Sequence, residues 1–188
     1  MITQLINKKI IKILTYLLIS PGSKYKRKEL KEKIGMNNLP LDAGLRKLQS
    51  LKILTKKKNL YALSYENEAM QLLLEQLREE YVNYNLPHNI FNLLVELADE
   101  LTKIKEIDKV YLFGSYAKLI YTSQSDIDLA IITKKELSTN KQKVIRRQLE
   151  TKAEKYKKKL DIHFFQETDL KQKDALIQDI LRNGKQLF

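Results

Sequence analysis

The chain of 188 residues contains no cysteine and only two histidines. Without cysteine it can form neither disulfides nor thiolate metal sites, and two histidines argue against a histidine-rich zinc site. No stretch approaches the roughly 20 uncharged apolar residues that span a bilayer. We therefore expect a cytoplasmic protein with no membrane insertion.

Negative charge is scarce in the first third of the chain. Residues 1–64 contain 15 Lys and Arg against 3 Asp and Glu, whereas residues 65–188 contain 20 of each kind. The net charge of +12 therefore resides almost wholly in the first third, which carries the field that would attract a polyanion. This asymmetry predicts two parts with different functions.

The first third has the pattern of three helices followed by a hairpin. Helical periodicity covers residues 3–20, a second helix is predicted from Ser23 to about residue 34, and a third from about 38 to 51. Two β-type runs, 53–55 and 60–63, then flank a basic turn. This order is that of a winged helix-turn-helix.

The segment from Arg46 to Ser64 resembles the passage from recognition helix to wing in winged-helix transcription regulators. The resemblance covers about residues 5–64, with Lys52 where a glycine often ends the third helix. It implies that this helix enters the major groove of duplex DNA and that the wing meets the backbone. A lysine-rich solvated surface is the alternative, and the near-neutral remainder of the chain favours DNA binding. The basic residues expected to contact DNA are Lys26, Arg27, Arg46, Lys47, Lys56, Lys57 and Lys58.

The pattern predicts three regions: a winged helix-turn-helix at 1–65, a helical connector at 66–87 and a third domain at 88–188. The connector contains an amphipathic helix at 66–81 that is compatible with a homodimer. In the third domain we predict helices at about 88–104, 139–157 and 168–183, and strands at about 109–113, 126–132 and 159–165.

The predicted strands of the third domain carry a distinctive set of polar residues. Gly114-Ser115 follows an apolar strand, ten residues separate it from Asp126-Ile127-Asp128, and Asp161 lies in a later strand. Asp126 and Asp128 are two apart, so on a strand they point to the same face. Such carboxylates repel each other unless a cation lies between them. Hard cations such as Mg²⁺ prefer these oxygen ligands, and phosphate chemistry uses them.

This spacing resembles the nucleotidyltransferase superfamily of the DNA polymerase β type, and within it the minimal nucleotidyltransferase group. The resemblance covers about residues 88–188. It implies an α+β protein whose C-terminal domain has a small mixed sheet flanked by helices. It also implies that Gly114 and Ser115 hold the triphosphate of a nucleotide, with Lys118 near the phosphates. Asp126, Asp128 and Asp161 would be the catalytic residues and the ligands of Mg²⁺, in a site that could hold two ions.

Three features of this domain leave its interpretation open. Tyr116 stands where arginine is frequent and could stack on a base or merely pack. Leu119 replaces a glycine common in the same loop, which bears on catalytic competence. The basic helix at 139–157 could line an acceptor site or form a solvated face.

The leading interpretation is a Mg²⁺-dependent enzyme that moves NMP from an NTP, with ATP expected, to a hydroxyl acceptor. Minimal nucleotidyltransferases often act as antitoxins that add AMP to a HEPN toxin, so the resemblance includes a protein acceptor. The alternative is a non-enzymatic DNA-binding regulator or antitoxin whose nucleotidyltransferase domain senses nucleotides or mediates protein contacts. A third interpretation makes the basic part an RNA-binding module.

Overall fold

The computed structural model describes residues 7–20, 22–64, 66, 68–171 and 174–188. Its described elements confirm the expected α+β class, with helices around two small sheets. They form two units, one ending at Asn83 and the other extending from Tyr84 to Phe188. Within the described ranges, no helix has the length and apolar character needed to cross a membrane.

The N-terminal unit has three helices that accompany a small sheet, and a longer helix that follows. All its strands are antiparallel, in the order β1-β3-β2. Asn7 caps the first helix, since its Oδ1 accepts a hydrogen bond from the N–H of Lys9 at 2.9 Å. The elements are α1 (Lys8–Ile19), β1 (Tyr25–Lys26), α2 (Arg27–Ile34), α3 (Asn38–Ser50), β2 (Leu54–Lys57), β3 (Leu60–Leu63) and α4 (Glu68–Tyr84).

The second helix begins at Arg27 rather than at Ser23, which corrects the predicted start. Tyr25 and Lys26 instead pair with β3, so the sheet has three strands and not the two of a hairpin. The N–H of Lys26 donates to the carboxylate of Glu29 at 2.7 Å, which caps the first turn of α2.

The C-terminal unit is built on a four-stranded mixed sheet in the order β6-β5-β4-β7. β5 and β6 are parallel, whereas β4 is antiparallel to both β5 and β7. The C-terminal end of β4 therefore lies beside the N-terminal ends of β5 and β6. This border of the sheet, which is formed by strand ends, is called the shared edge. The elements are α5 (His88–Leu101), β4 (Ile107–Phe113), α6 (Gly114–Ala117), β5 (Ile127–Thr133), α7 (Thr139–Glu154), β6 (Leu160–Gln166), α8 (Ala175–Asn183) and β7 (Lys185–Gln186).

Helix α8 packs on the face of this sheet that carries Phe113 and Ala130, and its Ile180 forms a buried cluster with these two residues. It begins at Ala175 because the Asp174 carboxylate accepts hydrogen bonds from the first turn. The predicted helix at 168–183 is therefore in two parts, a 3-10 turn (Asp169–Lys171) and α8. After Gly184 the tail returns along β4 as the edge strand β7, an element that the sequence did not predict.

Candidate active site

The Gly114-Ser115 turn lies at the shared edge of the C-terminal sheet, directly after β4. Gly114 has a φ of 66°, in the left-handed region that favours glycine. A Cβ at this position would collide with the carboxylate of Asp128. The backbone N–H of Ser115 is close enough to the same carboxylate to lower its pKa against the effect of burial. Both the conformation and the close approach to Asp128 therefore require glycine at 114.

Three carboxylates lie at or beside this edge. Asp128 on β5 pairs in register with Asp161 on β6, and Asp126 immediately precedes β5. Asp128 is partly buried, whereas Asp126 and Asp161 are exposed. Burial raises the pKa of Asp128, and the charges of Asp161 and Asp126 raise it further against the opposing effects of Ser115 N–H and His163. The site thus concentrates negative charge around Asp128.

The donor chemistry of this edge fits a hard divalent cation. In the described part of the chain, no three His, Cys, Asp or Glu side chains converge closely enough to form a metal site by themselves. However, burial and the neighbouring charges of Asp161 and Asp126 all raise the pKa of Asp128, and a cation between these carboxylates would offset both effects. Oxygen-only ligands suit Mg²⁺.

His163 lies beside the carboxylates on β6, two residues beyond Asp161. Its Nε2 is 3.2 Å from Oδ2 of Asp161. Its ring contacts Phe113 edge-on, with the centroids 5.6 Å apart, and stacks over Phe165 at 6.2 Å. This packing orients His163 toward Asp161 and forms an aromatic wall beside the site.

Tyr116 packs inside the unit. Only 1% of it is exposed, and its ring stacks on Tyr121 with centroids 4.4 Å apart and planes at 9°. Of the two roles left open by the sequence, the structure therefore shows packing. The next candidate, Lys118, is exposed and forms an ion pair with Asp179 of α8, with Nζ 2.8 Å from Oδ1. Lys118 holds the pKa of the Asp179 carboxyl below its usual range.

Leu119 adopts a φ of 61°, the left-handed conformation that glycine accepts without strain. The loop after α6 thus keeps a backbone shape suited to glycine although the residue is leucine. The side chain is 41% exposed and so gains little from burial.

Part of the basic helix α7 is engaged within its own unit. Lys141 pairs with Glu106 at 2.6 Å and Lys152 with Glu100 at 3.1 Å. The guanidinium of Arg146 lies over Phe164, 5.2 Å from its centroid. Other cations of this region are exposed, namely Lys143, Arg147, Lys155, Lys157 and Lys159.

In the N-terminal unit, the DNA-contact candidates have different surroundings. Lys26, Arg46, Lys47 and the basic run 56–58 are exposed. Arg27 instead links α2 to α3, donating to both carboxylate oxygens of Asp42 at 2.6 and 2.8 Å. This pairing holds the pKa of Asp42 below its usual range.

The sequence did not predict the contacts of two further residues near the site. Asp179 lay within a predicted amphipathic helix, with nothing to connect it to Lys118. Lys158 was one of three consecutive lysines, and the structure places its ammonium group against the turn that precedes Asp126. Both contacts are long-range, so local pattern could not reveal them.

Comparison with known proteins adds an independent result. The family described as "Polymerase beta, Nucleotidyltransferase" matches residues 95–188, half of the chain. No curated protein matches the sequence.

Solved structures of toxin–antitoxin assemblies are similar over about half of this chain. A mutant of the toxin-antitoxin MntA-HpeT is 24% identical, covers 52% of this chain and 71% of its own, and gives a TM-score of 0.38. A toxin-antitoxin with AMP-PNP is 26% identical, with the same coverage and TM-score. A tri-AMPylated Shewanella oneidensis HEPN toxin in complex with MNT antitoxin is 23% identical, covers 50% and 71%, and gives 0.32.

Proposed function

The chain belongs to the polymerase β nucleotidyltransferase family, and we propose that it transfers NMP from an NTP, with ATP expected, to a hydroxyl acceptor. The observation that carries this proposal is the contact between the Gly114-Ser115 turn and Asp128. Because Asp128 is in turn in register with Asp161, one sheet edge brings the turn that we propose to bind phosphate beside the carboxylates that we propose to bind the cation.

The chemistry assigns a role to each part of this edge. Asp126, Asp128 and Asp161 would hold Mg²⁺, which supplies Lewis-acid neutralisation of the triphosphate. The left-handed turn at Gly114 lets the backbone approach a phosphate, and Ser115 donates a hydrogen bond to that phosphate. The acceptor oxygen bonds to the α-phosphorus while the bond from that phosphorus to the bridging oxygen breaks, and pyrophosphate leaves. Asp161, which is exposed at the sheet edge, accepts the proton of the acceptor hydroxyl.

A labelling experiment tests this reaction. The full chain is incubated with Mg²⁺ and ATP labelled at either the α- or the γ-phosphate, in an extract of the cells that naturally contain it. We expect transfer of the α-label alone, and its loss in Asp126→Ala and Asp128→Ala. Asp108→Asn, at the far end of β4, is the matched control and should transfer label normally.

The alternative of a nucleotide-sensing regulator predicts a different outcome. It is favoured if the protein binds ATP but transfers neither label under any of these conditions. The strained loop at Leu119 and the ion pair that holds Lys118 are the observations consistent with it. Absence of ATP binding would reject both functions.

For the N-terminal unit we propose a winged helix-turn-helix that binds duplex DNA. The support is the order of three helices and an antiparallel sheet, with exposed Arg46 and Lys47 on α3 and the exposed run 56–58 at the β2–β3 turn. Charge reversal of Arg46 and Lys47 should abolish DNA binding. Preferential binding of structured RNA at fixed salt would favour the RNA-binding interpretation instead.

We propose a protein acceptor, such as a HEPN-type toxin, from the sequence resemblance to minimal nucleotidyltransferases. A HEPN protein encoded beside this gene is the acceptor to test first. Intact mass spectrometry after incubation with ATP and Mg²⁺ should show added AMP on that protein. A nucleic acid hydroxyl becomes the better candidate if label appears only in polynucleotide. The homodimer remains a prediction, to be measured by light scattering.

A further inference from the structure

Lys158, in the turn between α7 and β6, has an unusual set of contacts for a surface lysine. Its Nζ donates hydrogen bonds to the backbone carbonyl oxygens of Ser123, at 2.7 Å, and Ser125, at 3.3 Å. Two carbonyls on one ammonium group fix the path of the chain between them. The lysine therefore acts on backbone geometry, with no carboxylate among these contacts.

The segment held by Lys158 leads directly into the carboxylate site. The N–H of Thr122 donates to Oγ of Ser125 at 2.9 Å, and the N–H of Ser125 donates to the carbonyl of Thr122 at 3.2 Å. These bonds close a tight turn, and Asp126 is the next residue. The position of the Asp126 carboxylate therefore depends on how firmly this turn is held.

The same ammonium group also contacts the other side of the site. Nζ lies 5.3 Å from the ring centroid of Tyr116, which belongs to α6 together with Gly114 and Ser115. A cation over an aromatic face is attracted by the negative face of the ring. Lys158 thus contacts both α6, which contains Gly114 and Ser115, and the turn that immediately precedes Asp126.

We infer that Lys158 is a positioning residue, which holds the turn at 122–125 against α6 and thereby places Asp126 beside Asp128. This inference rests on the proposed function, because it gives Asp126 a role in cation binding. Lys155 provides a contrast close by. It is exposed, and the described part of the structure shows it no side-chain hydrogen bond or ion pair.

Hydrogen exchange of the full chain, measured without metal, tests whether Lys158 holds the turn at 122–125 in place. Lys158→Met keeps the aliphatic stem and removes the donors, and Lys155→Met removes one charge nearby. We expect faster exchange of the amides of Thr122 and Ser125 in Lys158→Met, with protection retained in Lys158→Arg and Lys155→Met. Equal exchange in Lys158→Met and Lys155→Met would overturn the inference.

The Mn²⁺ affinity of the protein with ATP present tests the link to the site; it is measured by the electron paramagnetic resonance of free Mn²⁺, after subtraction of the Mn²⁺ that ATP binds without protein. Groups that orient metal ligands typically change affinity by about 10- to 100-fold when removed, so we expect at least tenfold weaker Mn²⁺ binding in Lys158→Met. Lys155→Met should bind like the wild type.

Equal Mn²⁺ affinity in Lys158→Met and the wild type would overturn the inference alone. No Mn²⁺ binding by the wild type would instead overturn the proposed function and, with it, the cation role given to Asp126. In that case the exchange measurement still decides whether Lys158 holds the turn.

Discussion

Asp128 on β5 is the register partner of Asp161 on β6, so two carboxylates lie side by side across parallel strands. Burial is the largest cause of the raised pKa of Asp128, and the charge of Asp161 is the second. Ionised Asp128 therefore opposes folding of the metal-free protein. A bound cation would offset that penalty.

This relationship predicts that Asp128→Asn stabilises the metal-free protein. The folded pKa lies above the ordinary value of 3.8, so the penalty is complete above the folded pKa and disappears as pH falls toward 3.8. Urea denaturation in EDTA should thus show a gain in the free energy of unfolding at pH 7 that is lost near pH 4. Mg²⁺ with ATP should stabilise the wild type and not the variant. A variant less stable than the wild type at pH 7 would contradict the prediction.

Gly114→Ala should disable the site with only a moderate loss of stability. The new Cβ would displace the carboxylate of Asp128, and the left-handed backbone adds strain of about 1–2 kcal/mol. We expect loss of Mn²⁺ and ATP binding in titrations of the folded variant. Gly35→Ala is the matched control, since Gly35 has a φ of 67° and no atom near the added Cβ. Unchanged binding in Gly114→Ala would argue against a role for this turn.

The ion pair between Lys118 and Asp179 should compete with a bound triphosphate. If Lys118 contacts phosphate, it must first leave Asp179. A surface pair of this kind, partly exposed on both sides, contributes about 0–1 kcal/mol, so Asp179→Asn should tighten ATP binding by up to about fivefold. Lys118→Met should weaken it. Weaker binding in Asp179→Asn would indicate that Asp179 instead orients Lys118 for the nucleotide.

DNA binding by the N-terminal unit should depend steeply on salt. Each phosphate contact lowers the slope of log K against log salt by about 0.9. Replacing Lys56, Lys57 and Lys58 by Gln should therefore make that slope less negative by about 2–3 if all three contact phosphates. Fluorescence anisotropy over a salt series measures it. Arg27→Gln is expected to lower the stability of the N-terminal unit and to leave the salt slope nearly unchanged, because Arg27 is paired with Asp42.

Periodicity and motif spacing were enough to predict most elements of the C-terminal unit. Strands at 109–113, 126–132 and 159–165 were expected and lie within two residues of β4, β5 and β6. Each of these strands is either apolar on both faces or alternates between apolar and polar residues, so a short stretch of sequence is enough to predict it. The carboxylate edge followed because the spacing of Gly114, Asp126, Asp128 and Asp161 matches a known family.

The elements that sequence did not predict depend on distant partners. β1 and β7 each have only two residues, and both exist because another strand offers its edge. The contacts of Lys158 with Ser123 and Ser125 span more than 30 residues. No local pattern encodes a bond between a lysine and a remote carbonyl, so these features required the folded structure.

Lys52 occupies the position after the third helix at which winged-helix regulators often have glycine, and this difference has a measurable effect on the backbone. The N–H of Ile53 donates to the carbonyl of Leu48 at 2.9 Å, and that of Lys52 to Gln49 at 2.9 Å. These two bonds form a Schellman motif, in which the residue at Lys52 is usually glycine. Lys52 adopts a φ of 56° and thus carries the strain that glycine would avoid.

Lys52→Gly should therefore stabilise the N-terminal unit by about 0.5–1 kcal/mol, because relief of left-handed strain exceeds the added chain entropy of glycine. Urea denaturation followed by circular dichroism measures the change. Lys31→Gly, inside α2, should instead destabilise by about 1 kcal/mol. Destabilisation by both substitutions would mean that the Lys52 side chain contributes more than its backbone strain removes. The opposite signs expected here separate a capping position from a helical one in the same unit.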